Sequence, residues 1–142
     1  MLLPNLAVLA TALFTGAATY VSLVEHPARL GCSNEIALAQ WRPSYQRGTV
    51  MQASLAIAGT LFGIAAWLSQ AGSIWLVAGL LLGSVVPFTF LGIFPTNKRL
   101  EDPALDASSE TARSLLVRWG HLHAVRSVLS FVALLLMLFA SR

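Results

Sequence analysis

Residues 48–97 read GTVMQASLAIAGTLFGIAAWLSQAGSIWLVAGLLLGSVVPFTFLGIFPTN, and none of these 50 side chains is charged or an imidazole. A helix crosses roughly 30 Å of hydrocarbon with about 20 apolar residues, so this run is too long for one span and long enough for two. It breaks at Ser69-Gln70-Ala71-Gly72-Ser73, where small and polar residues favour a turn. That predicts spans over 49–68 and 74–94. Working outward, residues 2–24 and 119–140 supply two more apolar stretches. Without water to satisfy the backbone such segments must be helical, since a barrel would need alternating polarity that is absent. The expectation is an all-α integral membrane four-helix bundle, a single domain over 1–142 with no room for a separate soluble one. Composition agrees: 11% of residues are charged, against about 25% in soluble domains. Residues 2–24 carry no early Lys or Arg and outrun a signal-peptide core, so they are expected to stay as a span.

Every histidine and every charged residue except Arg142 lies within 25–47 or 98–126. These are the first and third loops, which leave a bundle of alternating spans on the same side. Arg29, Arg42, Arg47, Lys98, Arg99, Arg113 and Arg118 stand there against Arg142 on the other side. The positive-inside rule then places both loops in the cytoplasm and both termini outside, with a bacterial inner membrane as the expected location. The net charge of +3 follows from this bias and implies lipid contact, not nucleic acid. The single Cys32 excludes an intrachain disulfide.

Within the loops, Ser33–Arg47 and Ala107–Arg118 have helical character and are expected as short interfacial helices. Ser108 or Ser109 would cap the second ahead of Glu110, and Pro43 would bend or end the first. Leu38, Trp41 and Tyr45 recur at helical spacing on one amphipathic face. Asp102-Pro103 marks a turn. Gly59 with Gly63 and Gly79 with Gly83 permit close helix approach, either between adjacent spans or between two copies in a homo-oligomer. Pro87 predicts a kink in the third span, either a packing bend or one that opens a cavity.

Three polar clusters converge on the loop-side rim: Glu25-His26-Pro27-Ala28-Arg29, Pro95-Thr96-Asn97-Lys98-Arg99-Leu100, and Trp119-Gly120-His121-Leu122-His123-Ala124-Val125-Arg126. His121 and His123 lie about 200° apart on a helix and cannot share a site. Trp119, His123 and Arg126 do share a face. Arg126 is seven residues into a span, where a charge costs up to about 2.5–3.5 kcal/mol. That cost calls for a partner, and Glu25 is the expected one.

These residues resemble the anthrone oxygenase-like family of small four-span membrane proteins. The matching features are Gly16 and Tyr20 leading into Glu25-His26-Pro27-Ala28-Arg29, Trp41 ahead of Arg47, Pro87-Phe88-Thr89, Pro95 to Leu100, and Trp119-xxx-His123-xx-Arg126. The resemblance covers nearly the whole chain, and the last two motifs are the most specific. It implies oxidation of anthrones to anthraquinones by dioxygen, as in the family's polyketide-pathway members. The functional positions it implies are His26, Trp41, Asn97, Trp119, His123 and Arg126.

Three chemistries then stand open. In the first, a hydrophobic aromatic or quinol-type small molecule enters from the bilayer and is oxidised with no cofactor required. His123 or His26 is the general base, and Arg126 and Asn97 stabilise the oxyanion. Trp41, Trp119, Phe90 and Tyr20 line the ring. In the second, His26, His123 and Glu25 hold copper or iron. In the third the protein is a non-enzymatic lipid- or partner-binding bundle, its first and fourth helices locked by a Glu25–Arg126 pair.

Overall fold

The Ser69–Ser73 interruption folds as a tight turn, with Gln70 at φ 70° and Gly72 at φ 109°, so the uncharged run doubles back as two helices. In the computed structural model, which describes residues 1–142, four helices carry the chain: α1 Leu2–Leu30, α2 Asn34–Leu68, α3 Ser73–Glu101 and α4 Glu110–Ala140. All four are long and apolar enough to cross a membrane. Each packs chiefly against its chain neighbours, and α4 closes the ring on α1. The all-α four-helix expectation therefore holds.

One detail differs. The segments expected as separate interfacial helices are continuous with the second and fourth spans. At 1.5 Å per residue the 35 residues of α2 run about 52 Å, well beyond the hydrocarbon thickness, so both helices project past it. The reason is local. Only Gly48 separates the two helical runs of α2, and Pro43, although inside the helix, removes a single backbone donor. The Ser109 hydroxyl accepts from the Ala112 amide and starts α4. Asp102 accepts from the Ala104 amide in the expected turn.

The odd-numbered helices share a feature that sequence inspection did not register. Each contains a π turn, Val21–Glu25 in α1 and Thr89–Ile93 in α3. The His26 amide reaches back to the Val21 carbonyl and the Phe94 amide to that of Thr89. Each turn ends one residue before a proline, Pro27 or Pro95. A proline in a helix lacks a donor and its ring clashes with the carbonyl four residues back, and a widened turn relieves both problems. The π turn is also a recurrent marker of functional sites. Upstream in α3, the regular ladder is interrupted at Ser84, ahead of Pro87, which is the expected kink.

The glycines are consumed within the chain. A Cβ on Gly63 would lie 3.1 Å from the Gly79 Cα and 3.2 Å from the Trp75 carbonyl oxygen, and one on Gly83 would meet Thr60. Both pairs therefore serve the α2–α3 contact. The core forms three layers. Phe14, Ala18, Ala56, Leu82, Val85 and Ala133 occupy the middle, and Ala7, Ala66, Trp75, Ala78 and Met137 lie towards the termini. The layer at the loop end, built from Leu38, Trp41, Ile93, Leu100, Leu116 and Trp119, is the most aromatic. Large apolar side chains such as Leu9, Leu13, Ile57, Leu61, Val77, Leu80, Val128 and Phe131 point outward. Such a surface suits hydrocarbon as its solvent and fits an integral membrane protein.

Candidate active site

Trp119 opens the apolar part of α4 and sits between two imidazoles. Its ring lies 5.0 Å from that of His26 and 4.9 Å from that of His123, and it takes the edge of Trp41 at 5.8 Å. Tyr45 stacks on Trp41 at 4.8 Å. His26 and His123 are 4% and 3% exposed, whereas His121 is exposed. The two histidines implicated from sequence are thus buried neighbours separated by a single indole.

Their hydrogen bonds give them different capacities. His26 places Nε2 at 2.9 Å from the Leu116 carbonyl and Nδ1 at 2.8 Å from an Arg29 Nη. The carbonyl can only accept and the guanidinium can only donate, so Nε2 carries the proton and Nδ1 gives its lone pair to Arg29. Both nitrogens of His26 are committed. His123 is held from one side only: its Nδ1 is 3.1 Å from the Ser22 hydroxyl, which is 2.8 Å from that of Ser127. Ser127 lies 3.0 Å from the Ala18 carbonyl and must donate there. It therefore accepts from Ser22, and Ser22 accepts from the Nδ1–H of His123. This chain leaves Nε2 of His123 with a free lone pair and no protein partner.

The two arginines divide in the same way. Arg29, 5% exposed, donates to Glu25 at 2.6 Å, to His26, to the Gln40 side-chain carbonyl and to Ser44. Glu25 also accepts from Gln40 at 3.0 Å and Ser44 at 2.6 Å. The expected Glu25–Arg126 pair is therefore not formed. Glu25 is taken by Arg29, four residues along the same helix, where the i,i+4 spacing brings the groups together. Arg126 has no carboxylate. It donates to Gln52 at 3.1 Å and lies over the Phe14 ring at 5.5 Å, and its Nε is sealed without a partner.

His123 and Arg126 line one cavity of about 380 Å³ between α1, α2 and α4. Trp41, Trp119 and Tyr20 line it too, as the resemblance implied. Tyr20 and Met51, each at least half exposed, stand at its mouth on the apolar flank. The cavity is within the size range of small-molecule sites. His26 does not line it, and neither do Asn97 and Phe90. Asn97 is fully buried with both amide atoms unpartnered, on the α3 face that Ile93 and Leu100 present to Trp41 and Trp119. Phe90 belongs to a second, smaller cavity. Glu25, His26 and His123 do not assemble as a ligand set, and no three His, Cys, Asp or Glu side chains cluster to hold a metal ion. Sequence reasoning missed Ser22, Gln52 and Ser127. Their signal was available, because a polar residue inside a hydrocarbon span is expensive and usually has a task.

Gly120 seats His26. A Cβ there would fall 2.6 Å from the imidazole Cδ2 and 2.7 Å from Nε2, driving the ring off the Leu116 carbonyl. Gly120→Ala is expected to cost about 2 kcal/mol of stability, read as a lowered melting temperature in detergent. An unshifted melting curve would contradict this seating.

Fold and site together describe an all-helical, membrane-compatible bundle with an imidazole and a guanidinium facing one internal cavity. The family model described as anthrone oxygenase matches residues 41–136. An anthrone oxygenase of Claviceps purpurea (strain 20.1) is 32% identical, the match covering 88% of this chain and 80% of that protein. Anthrone oxygenase tpcL of Aspergillus fumigatus is 33% identical over 86% of this chain and 82% of its own length. Anthrone oxygenase AgnL2 of Paecilomyces divaricatus is 29% identical, with 92% and 89% covered. No solved structure gives a significant match. The chain belongs to the anthrone oxygenase family, and an oxygenase-type function comes with that membership at family level. These relatives are fungal and lend nothing to a bacterial inner membrane.

Proposed function

We propose that this protein oxidises an anthrone-like, lipid-soluble aromatic with dioxygen, using the anion of its own substrate as the reductant. One observation carries the reading: a buried guanidinium without a carboxylate partner shares a cavity with an imidazole whose Nε2 is free. An unpaired buried cation is costly, and a ligand that becomes an anion in place would offset that cost.

The CH2 between the rings of an anthrone is acidic because its anion delocalises onto the ring carbonyl oxygen. His123 Nε2 takes that proton, with Ser22 and Ser127 fixing its tautomer. Arg126 faces the developing oxyanion in a water-poor site, where preorganised charge counts most. The anion reduces dioxygen and a carbon–oxygen bond forms. The imidazolium returns its proton to give a hydroperoxide, which loses water as the remaining C–H proton leaves. The net change is CH2 plus O2 to C=O plus H2O, so both oxidant and electrons are accounted for. Trp41 and Trp119 wall the ring, and the exposed mouth at Tyr20 and Met51 admits substrate from the bilayer. The distribution of basic residues supports a cytoplasmic position for this end.

The test is oxygen consumption by detergent-purified protein presented with anthrones and hydroquinones. One dioxygen per ketone formed is expected, falling about a hundredfold in His123→Ala. Unchanged uptake in that variant would remove the base, and no uptake with any of these substrates would end the reading.

A further inference from the structure

The second cavity, about 150 Å³, lies between α2 and α3 and shares only Tyr45, Thr49 and Arg126 with the first. Its remaining wall is mostly Ala53, Val85, Val86 and Phe90. The hydroxyl of Thr89, also in its wall, is spent on the Val85 carbonyl at 2.6 Å. A buried water needs two to four polar partners, and apolar cavities of about this size stay dry and take up small apolar guests. At less than half the volume of its neighbour, the space is too small for a fused aromatic. Phe90, 63% exposed, stands where it meets the lipid-facing surface. Dioxygen is more soluble in hydrocarbon than in water and approaches from that side. The cavity lies along the stretch of α3 where Ser84 interrupts the ladder and the π turn widens the helix.

We propose that this second cavity is the dioxygen site of the reaction argued above, with Arg126 as the wall between oxidant and substrate. The inference rests on that reaction. The substrate anion on one side passes one electron to dioxygen on the other, giving a substrate radical and superoxide. The guanidinium stabilises the superoxide as it forms. The two radicals recombine to the carbon–oxygen bond of the peroxide, with the O–O bond retained until water is lost. Substrate and gas then enter by separate routes and do not compete for space.

Xenon is the probe that requires no turnover. Wild-type crystals grown from a lipid phase and pressurised with xenon are expected to hold an atom against Ala53, Val86 and Phe90. No xenon there overturns the inference, whatever the enzyme does with anthrones. In kinetics, Ala53→Leu and Val86→Phe should each raise KM for dioxygen about tenfold without a matching rise in KM for the aromatic. A rise in the aromatic's KM alone, or an unmoved oxygen KM in both, also overturns it. Wild-type protein that consumes no oxygen with any substrate defeats the proposed function, and the xenon result still decides whether the small cavity takes a gas.

Discussion

Arg126→Met is expected to cut oxygen consumption about a thousandfold while the protein melts no lower than wild type. Both halves follow from what surrounds the guanidinium. It is held by one neutral acceptor, Gln52, and one aromatic face, Phe14, with its Nε unpartnered. Desolvating a cation on those terms costs several kcal/mol, and methionine fills the same space without that cost. The loss of one hydrogen bond to Gln52, about 1 kcal/mol, is the smaller entry. Turnover moves the opposite way, because the positive charge acts on the substrate oxyanion and a thousandfold corresponds to about 4 kcal/mol of transition-state stabilisation. Paired measurements of melting temperature and oxygen uptake decide it. A variant that both melts much lower and fails to turn over would make Arg126 a structural residue, as would a folded variant of unchanged activity.

The second large effect is the mirror image. Arg29→Met is expected to destabilise the protein by about 3 kcal/mol. Arg29 is the shared donor of Glu25, His26, Gln40 and Ser44, so its removal leaves a carboxylate without a cation and an imidazole lone pair without a donor. The figure sits at the low end for a broken buried pair because the Glu25 side chain is 22% exposed and keeps Gln40 and Ser44. Adding Glu25→Gln to Arg29→Met should recover part of the loss, since the stranded charge is then gone. Denaturant or thermal unfolding in detergent reads both steps. No destabilisation in the single variant, or no recovery in the double, would mean the network does not hold α1 against α2. Two arginines near the same cavity therefore differ in role because one is saturated with partners and the other is not.

Helix number and direction were legible in the chain because hydrophobicity over a span-length window is a local property. The turn at residues 69–73, the Ser109 cap and the kink near Pro87 were equally local. The shared face of Trp119, His123 and Arg126 was legible too, since spacings of four and three residues fix it within one helix. What failed was the partner across helices. Matching Glu25 to Arg126 assumed a uniform helix, but the π turn at Val21–Glu25 inserts a residue and rotates everything beyond it by about 100°. A helical wheel drawn from sequence contains no such step.

Hydrocarbon content alone decided that this chain is a four-helix bundle with its chemistry at one end, because burying a bare backbone in lipid leaves few alternatives. Packing decided which histidine keeps a free nitrogen and which arginine keeps a free charge. Those depend on side chains as far apart in sequence as Ser22 and Ser127, or Gln52 and Arg126, whose meeting is set by helix rotation and close approach and by nothing local to any of them.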